Sequence, residues 1–351
     1  MPFRSMSMCI LFMAMLMLTS SGSASELSER QETKGGSNFT KSWGAGINLG
    51  NTMDAPFEGW WAPSAEQQYF TDYASAGFRS VRLPVRWDNH TGLSSPYTID
   101  SAWLDRVEEV VGWALEAGLN HVIINSHHDD WLDLESDSAF QAALPRFEAI
   151  WTQIAARFAD YDDRLAFEVY NEPHVMSVDS LNAMNAAVHT IVRANNPDRT
   201  IILGGLQWMD YRWIAYYPNG MTVDFTKADG SKDTNLMVEI HNYDPSDFTW
   251  NAGQTSWGTD SDYEAMEYIF SFMSGWSQDH GNIKVVLGEF GCVIEQENTE
   301  ARQAWFDAMF AYALQYDVAA VIWAEDYDYN VYDEATGEFD PQVIAAMPDY
   351  N

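Results

Sequence analysis

The sequence predicts an α/β protein built as a single (β/α)8 TIM barrel, on three observations. Eight short apolar runs alternate with longer segments of helical period across residues 39–351. The runs are mostly continuously apolar instead of alternating, as expected of parallel strands covered on both faces. Polar and aromatic residues follow all eight runs, and a barrel gathers such residues at one end. An open doubly wound sheet is the main rival. It would usually carry a Gly-rich phosphate turn after its first strand, whereas Gly44-Ala45-Gly46 comes before the first run has ended.

Each element is read from its period and punctuation. Gly44 to Leu49 is the first run. A helix over 64–76 follows, capped by Ser64 with Glu66 in its first turn. Phe78 to Leu83 is the second run. Asp100 caps a helix in which Trp103, Val107, Val110, Val111, Ala114 and Leu115 recur three and four residues apart, and Gly118 stops it. His121 to Ile124 is the third run. Phe147, Ile150, Trp151, Ile154 and Phe158 mark the next helix face. Leu165 to Tyr170 is the fourth run and ends before Asn171-Glu172-Pro173. Proline lacks an N–H and turns the preceding residue away from helix. Leu181 to Val192 is helical, Thr200 to Leu203 is the fifth run, and a shorter helix lies near 211–217. Leu236 to Ile240, Ile283 to Leu287 and Val318 to Trp323 are the sixth to eighth runs. Helices over 263–276 and 305–316 separate them, and a short helix near 341–347 closes the chain.

Residues 1–24 read as a signal peptide, with Arg4, an apolar run from Met8 to Leu18, and small residues up to Ala24. Eleven apolar residues are too few for a stable membrane anchor. Residues 25–38 read as a flexible, polar lead-in and 39–351 as the catalytic domain. Secretion, extracellular or periplasmic, is therefore expected, with no membrane association after cleavage. The net charge of −34, from 18 basic and 52 acidic residues, argues against nucleic acid and anionic membranes as partners. Of the two cysteines, Cys9 lies in the leader, and Cys292 reads as an inert small hydrophobe. The 15 Trp, 17 Tyr and 18 Phe fill a core and leave aromatics for a cleft.

The strand ends carry the chemistry. After successive runs come Asn48, Asn51 and Asp54; Arg82, Trp87 and His90; Asn125 to Trp131; Asn171 and Glu172; Gln207, Trp208 and Asp210; His241, Asn242 and Tyr243; Glu289; and Trp323, Glu325 and Asp326. Glu172 and Glu289, on the fourth and seventh strands, face each other across the expected barrel mouth. Two opposed carboxylates suit glycoside hydrolysis, in which one is protonated to donate and the other ionised to attack. Tyr243 and Arg82 are placed to keep Glu289 ionised. Asn171 is placed for a sugar 2-hydroxyl, and His127 and His241 for sugar or carboxylate. Trp323, Trp60, Trp61, Trp131, Trp208, Trp250 and Trp257 offer faces on which pyranose rings stack. Each residue alone has a plainer reading, as a packed histidine, a core counter-ion or a solvated loop. Their concentration at one barrel end favours function.

In this pattern the chain resembles glycoside hydrolase family 5, the retaining cellulase-type barrel. The resemblance rests on Leu165 to His174 around Asn-Glu-Pro, Gly46 to Thr52, Val81 to Trp87, Ile124 to His128, His241 to Pro245, Gly288 to Gly291 and Ile322-Trp323. It implies Glu172 as acid/base and Glu289 as nucleophile. It also implies Arg82, His127, Asn171, His241, Tyr243 and Trp323 around them, with His128 more variable among relatives. Ala324-Glu325-Asp326-Tyr327 departs from the Asp-Asn-Gly-like segment of many relatives. Asn48, Trp61, Trp131 and Trp208 complete the expected substrate-binding set.

The expected function is that of a secreted retaining endo-β-1,4-glucanase without cofactor or metal, a monomer acting on a β-linked polysaccharide. Its carboxyl groups are expected about 5–5.5 Å apart. Mannanase, xyloglucanase and mixed-linkage glucanase are alternatives within the family. A metal hydrolase on His127, His128, Asp129, Asp130 and His241 is a second class, weakened because adjacent strand histidines face opposite ways. A non-catalytic sugar-binding barrel is a third. No appended cellulose-binding module is expected, so soluble or amorphous polysaccharide is the expected substrate form.

Overall fold

The computed structural model describes residues 37–215 and 220–350. The leader and residues 25–36 of the lead-in lie outside the described residues. Eight parallel strands close into a barrel in sequence order: β1 (Ala45–Asn48), β2 (Ser80–Leu83), β3 (His121–Ile124), β4 (Leu165–Glu168), β5 (Thr200–Gly204), β6 (Leu236–His241), β7 (Lys284–Glu289) and β8 (Val318–Ile322). Closure is the parallel pairing of β8 with β1, through Gly46 opposite Val321 and Ile47 opposite Ile322. The eight expected strands are all present, with ends shifted by one or two residues in most of them. β4 ends at Glu168, before Tyr170, although the Val169 N–H still donates to the Ile202 carbonyl.

The helices are α1 (Asn38–Trp43), α2 (Gln67–Ala76), α3 (Ser101–Glu116), α4 (Asp137–Arg157), α5 (Val178–Asn195), α6 (Tyr211–Ala215), α7 (Ser246–Thr249), α8 (Asp260–Asp279), α9 (Thr299–Gln315) and α10 (Pro341–Ala346). Asp100 caps α3 by accepting from the Ala102 N–H. Ser64 does not cap α2, which starts later and has Glu66 at its N-cap without a side-chain bond. α4 begins ten residues before the apolar face read from sequence and runs through Pro145. Its tertiary contacts outweigh the lost hydrogen bond. The expected end of α6 at 216–217 lies outside the described residues.

α1 begins at Asn38, the last residue of the expected lead-in. Ser37 caps it, accepting from the Phe39 and Thr40 N–H groups. It places Trp43 under the barrel, against Ile123, Ala166, Ile202, Met237, Val286, Ala319 and Val321. These residues form the apolar interior layer of the barrel. A separate, larger core lies between the strands and the surrounding helices. Cys292 is buried and free, and burial pushes its thiol up to about 12, so it is inert as expected.

Candidate active site

Side chains alternate along a strand, so two residues above each interior apolar residue another side chain faces inward. Above Ile123, Ala166, Met237 and Val286 stand Asn125, Glu168, Glu239 and Gly288. Asn48 and Arg82 join this layer from β1 and β2. The result is a polar floor directly on an apolar one.

Arg82 is fully buried and organises this floor. Its Nε and Nη2 donate to Glu168 at 2.6 and 2.8 Å, and its Nη1 donates to Glu289 Oε1 at 2.8 Å and Asn48 Oδ1 at 2.9 Å. Nη2 also donates to Asn171 Oδ1 at 2.7 Å. Burial opposes the charge, but Glu168, Glu239 and Glu289 outweigh it and hold the guanidinium pKa above its usual value. Asn48 donates to the Gly288 and Ile322 carbonyls. Asn48 and Arg82 therefore lie beneath the cleft instead of lining it, and they act by placing Glu289 and Asn171. Glu168 and Glu239 were missed in the sequence. A carboxylate inside a run such as Phe167-Glu168-Val169 or Val238-Glu239-Ile240 is costly unless paired, and Arg82 was the available partner.

The two opposed glutamates stand on this floor. One oxygen of Glu172 and one of Glu289 lie within 4.8 Å of each other and of a His241 ring nitrogen. Glu289 is buried; Tyr243 donates to its Oε2 at 3.1 Å. Burial raises the pKa of Glu289, against the opposing pull of His241 and Arg82. Burial and the Glu289 charge keep Tyr243 protonated, so it remains a donor. His241 Nδ1 lies 2.7 Å from Glu172 Oε1 and 3.6 Å from Glu289 Oε2, while its Nε2 lies 3.2 Å from Glu239 Oε1. With carboxylates at both nitrogens the ring holds both protons. Burial works against this, but Glu289, Glu172 and Glu239 raise its pKa to about 10.

Glu172, which Pro173 turns away from helix, has a left-handed backbone, φ +50°. Asn51, His128, Gln207 and Trp208 share this conformation, and all five line one cleft. Non-glycine residues rarely sit there, and clusters of them mark functional sites. At His128 the turn overturns the expectation that adjacent histidines face opposite ways. The His127 and His128 rings stand 4.5 Å apart at the cleft wall.

The cleft encloses about 910 Å³. It is lined by His127, His128, Glu172, Trp208, His241, Tyr243, Trp250, Glu289 and Trp323, among others. Trp323 lies roughly parallel to His127, with centroids 6.1 Å apart, and Gly50 leaves room for its indole. Trp208 rests on His174 at 4.9 Å and is half-exposed, as is Trp250 at the edge of Tyr243. Trp61 meets His128 edge-on at 5.4 Å. Trp131 is elsewhere: its indole N–H donates to Asp129, Arg146 covers its face, and it packs on Phe147. Its indole is thus spent on packing, which corrects its assignment to sugar binding. Trp257 is buried against Tyr263, and Trp60 packs on Phe57. Glu325 accepts from Asn51 and from the Tyr327 and Tyr329 N–H groups, so it shapes the loop after β8.

Two triads have the spacing of metal ligands: Asp54–His127–His128 and Glu172–His241–Glu289. In the first, Asn125 is fixed by accepting from the Val85 N–H and donating to Glu168, and its amide lies 3.4 Å from His127 Nδ1. With Nδ1 facing that amide as an acceptor, the His127 proton is placed on Nε2. In the second, both nitrogens of His241 face carboxylates as donors. His241 is thereby committed to its carboxylates as a donor, whereas in the first triad both Asp54 oxygens are buried without a hydrogen-bond partner among the described residues, and His128 Nε2 lies 3.5 Å from one of them.

The description of the cellulase family, glycosyl hydrolase family 5, matches residues 40–328. Endoglucanase H of Acetivibrio thermocellus is 39% identical over 316 residues, covering 88% of this chain and 33% of its own length. Endoglucanase 1 of Ruminococcus albus is 33% identical over 300 residues, covering 79% of this chain and 70% of its own. The chain thus spans only a third of the length of Endoglucanase H. Among solved structures, a hyperthermophilic endo-β-1,4-glucanase in complex with substrate superposes with a TM-score of 0.78 at 31% identity, covering 88% of this chain and 97% of that one. Thermotoga maritima Cel5A in complex with mannotriose also gives 0.78, at 28% identity, covering 88% and 98%. The chain belongs to the cellulase family of glycoside hydrolases, family 5.

Proposed function

We propose that this chain is an exported endo-β-1,4-glucanase that retains anomeric configuration. The observation that carries the reading is the close opposition of Glu172 and Glu289 above a floor that treats them differently. Glu289 receives Arg82 and Tyr243 as donors, which suits an ionised nucleophile. Glu172 is more open to the cleft, which suits an acid that must reach a leaving group. A separation within 4.8 Å between their nearest oxygens supports the retaining geometry, because inversion needs room for a water between the carboxyls.

In the first step Glu172 gives its proton to the glycosidic oxygen while a Glu289 oxygen attacks the anomeric carbon. The C–O bond to the leaving sugar breaks and a glycosyl ester forms. In the second step the Glu172 carboxylate takes a proton from water, the hydroxide attacks the anomeric carbon, and Glu289 is released. Asn171, held by Arg82, faces the 2-hydroxyl, and His127 donates from Nε2 to a sugar hydroxyl. Trp323, Trp208 and Trp250 offer stacking faces along the cleft.

The β-glucan assignment draws on the endoglucanase relatives. A β-mannan is the second reading, because one similar structure was captured with mannotriose. Export rests on residues 1–24 alone. The test is reducing-sugar release from carboxymethylcellulose, barley glucan, xyloglucan, mannan and xylan, with the product anomer followed by NMR. Release from β-1,4-glucan with the β-anomer appearing first is expected. Glu289→Gln should cut turnover by at least about 10⁴-fold. An α-anomer first, or a fully active Glu289→Gln, overturns the mechanism. Preferential mannan hydrolysis overturns the substrate.

A further inference from the structure

Of the two floor carboxylates outside the proposed reaction, Glu168 is the bidentate partner of Arg82, and Glu239 is not accounted for in that way. It is fully buried on β6, two residues before His241. Its Oε1 lies 3.2 Å from His241 Nε2 and 3.3 Å from Arg82 Nε. Its Oε2 is buried with no hydrogen-bond partner among the described residues. The neighbouring strand makes room for it. A Cβ on Gly288 would stand 1.6 Å from Glu239 Oε1 and 2.5 Å from its carboxyl carbon, so any residue other than glycine would displace this carboxylate. Gly288 directly precedes Glu289; the Glu239 backbone itself pairs with Val286 of β7 and Gly204 of β5. β6 therefore carries a buried acid in the space that Gly288 leaves open.

A buried carboxylate of this kind is a liability for folding. Arg82 already has Glu168 as a bidentate partner, so neutralising the guanidinium does not account for a second acid. The distinctive contact of Glu239 is with His241. We propose that Glu239 is a positioning residue: by accepting from His241 Nε2 it holds the ring charged and turned so that Nδ1–H faces Glu172 and Glu289.

The charged groups around this pair are Arg82 from β2, Glu168 from β4, Glu289 from β7, and Glu172 from the loop after β4; β5, which pairs with β6, contributes none. Burial and the Glu168 charge hold Glu239 near 7, against the pull of Arg82 and His241. In its ionised form Glu239 places a negative charge behind His241, on the side of the ring away from Glu172. If the ring swings away from Glu172 it also loses its bond to Glu239, which is then left with Arg82 alone, and this favours one direction for its Nδ1–H bond. Glu172 must give up and recover a proton in each cycle, and a fixed donor at 2.7 Å keeps its carboxyl in place through both steps.

The kinetic arm of the test rests on the hydrolase reading; the spectroscopic arm does not. Protein labelled with ¹⁵N-histidine contains eight histidines, and the His241 ring signals are assigned by their loss in His241→Asn. In wild type the ring should be an imidazolium at neutral pH. Glu239→Gln keeps an acceptor oxygen and removes the charge, so the ring transition should move to lower pH by about one pH unit or more. Glu239→Ala removes the acceptor and should lower kcat by about 10²-fold with KM little changed, whereas Glu239→Gln should recover most of that loss. A His241 transition unmoved in Glu239→Gln overturns the proposal, as does a Glu239→Ala enzyme with wild-type kcat. If Glu239→Ala does not fold, the Gln variant decides through the ring signals. A wild type inactive on every glycan would sink the functional reading and leave the ring measurement valid.

Discussion

At the lower end of the barrel, Ile123, Ala166, Ile202, Met237 and Val286 close around Trp43. Two residues further along four of those strands stand Asn125, Glu168, Glu239 and Gly288, closing around Arg82. One pleat of the same sheet separates a dry apolar plug from a buried ionic cluster. The plug gains stability from apolar area and shape, and it tolerates no charge. The cluster exposes the fold to the cost of three buried carboxylates against two cations. In return it aims Glu289, Asn171 and His241 into a cleft. The lower end can be altered without touching chemistry, whereas the upper end cannot be altered without touching both.

Arg82→Met should give the largest effect, because it strikes the cluster at its centre. It leaves Glu168, Glu239 and Glu289 without the guanidinium, and breaking a buried pair costs about 3–5 kcal/mol. Activity should fall with it, since Glu289 loses the donor at 2.8 Å that favours its charge. Urea unfolding together with turnover on soluble glucan measures both. Loss of stability with full activity would show that Glu289 does not need Arg82, and the contrast between the two ends would narrow to packing.

Trp43→Ala is the matching change at the other end. Removing a buried tryptophan from the plug should cost about 3–5 kcal/mol. kcat should remain at the wild-type value below the lowered melting temperature. A fall in kcat that parallels the stability loss would mean that the plug transmits strain to the floor, and the two ends would have to be treated as one unit.

The lower end was also the less legible in sequence. Eight apolar runs identify the strands, because continuous Val, Ile, Leu and Phe segments report burial on both faces. Trp43 and α1 were not read as structure, since a six-residue helix carries too few residues for a period to register. At the upper end the opposed glutamates and most lining residues were legible because each follows an apolar run. Arg82 and Asn48 were identified but placed one layer too high, since strand-end position does not tell whether a polar group faces the cleft or lies under it. Glu168 and Glu239 were overlooked because they sit within apolar runs and do not interrupt them. Trp131 was assigned to the cleft from its place after the third run, but whether an indole faces sugar or Phe147 depends on loop geometry. The paired rings of His127 and His128 depend on one left-handed residue that nothing in a His-His dipeptide announces.

Two histidines offer a finer comparison, because the ends treat the same side chain in opposite ways. His121 at the lower end stacks on Trp43 with ring centroids 4.1 Å apart, and its Nδ1 is buried without a hydrogen-bond partner. Burial pushes its pKa down to about 4 from 6.5. The folded protein therefore accepts this ring only when it is neutral. Its contribution is complete above pH 6.5 and is lost as pH falls from 6.5 through about 4. His241 is held near 10, so its contribution is complete below 6.5 and is lost as pH rises through about 10. Acid thus loosens the plug, and base loosens the cluster. His121→Gln should lower stability at neutral pH by removing the stacked ring, and the gap to wild type should close as pH falls from 6.5 to 4. Parallel urea titrations across that window measure the gap. A gap that stays constant with pH would mean that the ring is already free to charge in the folded protein, and the lower end would then be wetter than its packing implies.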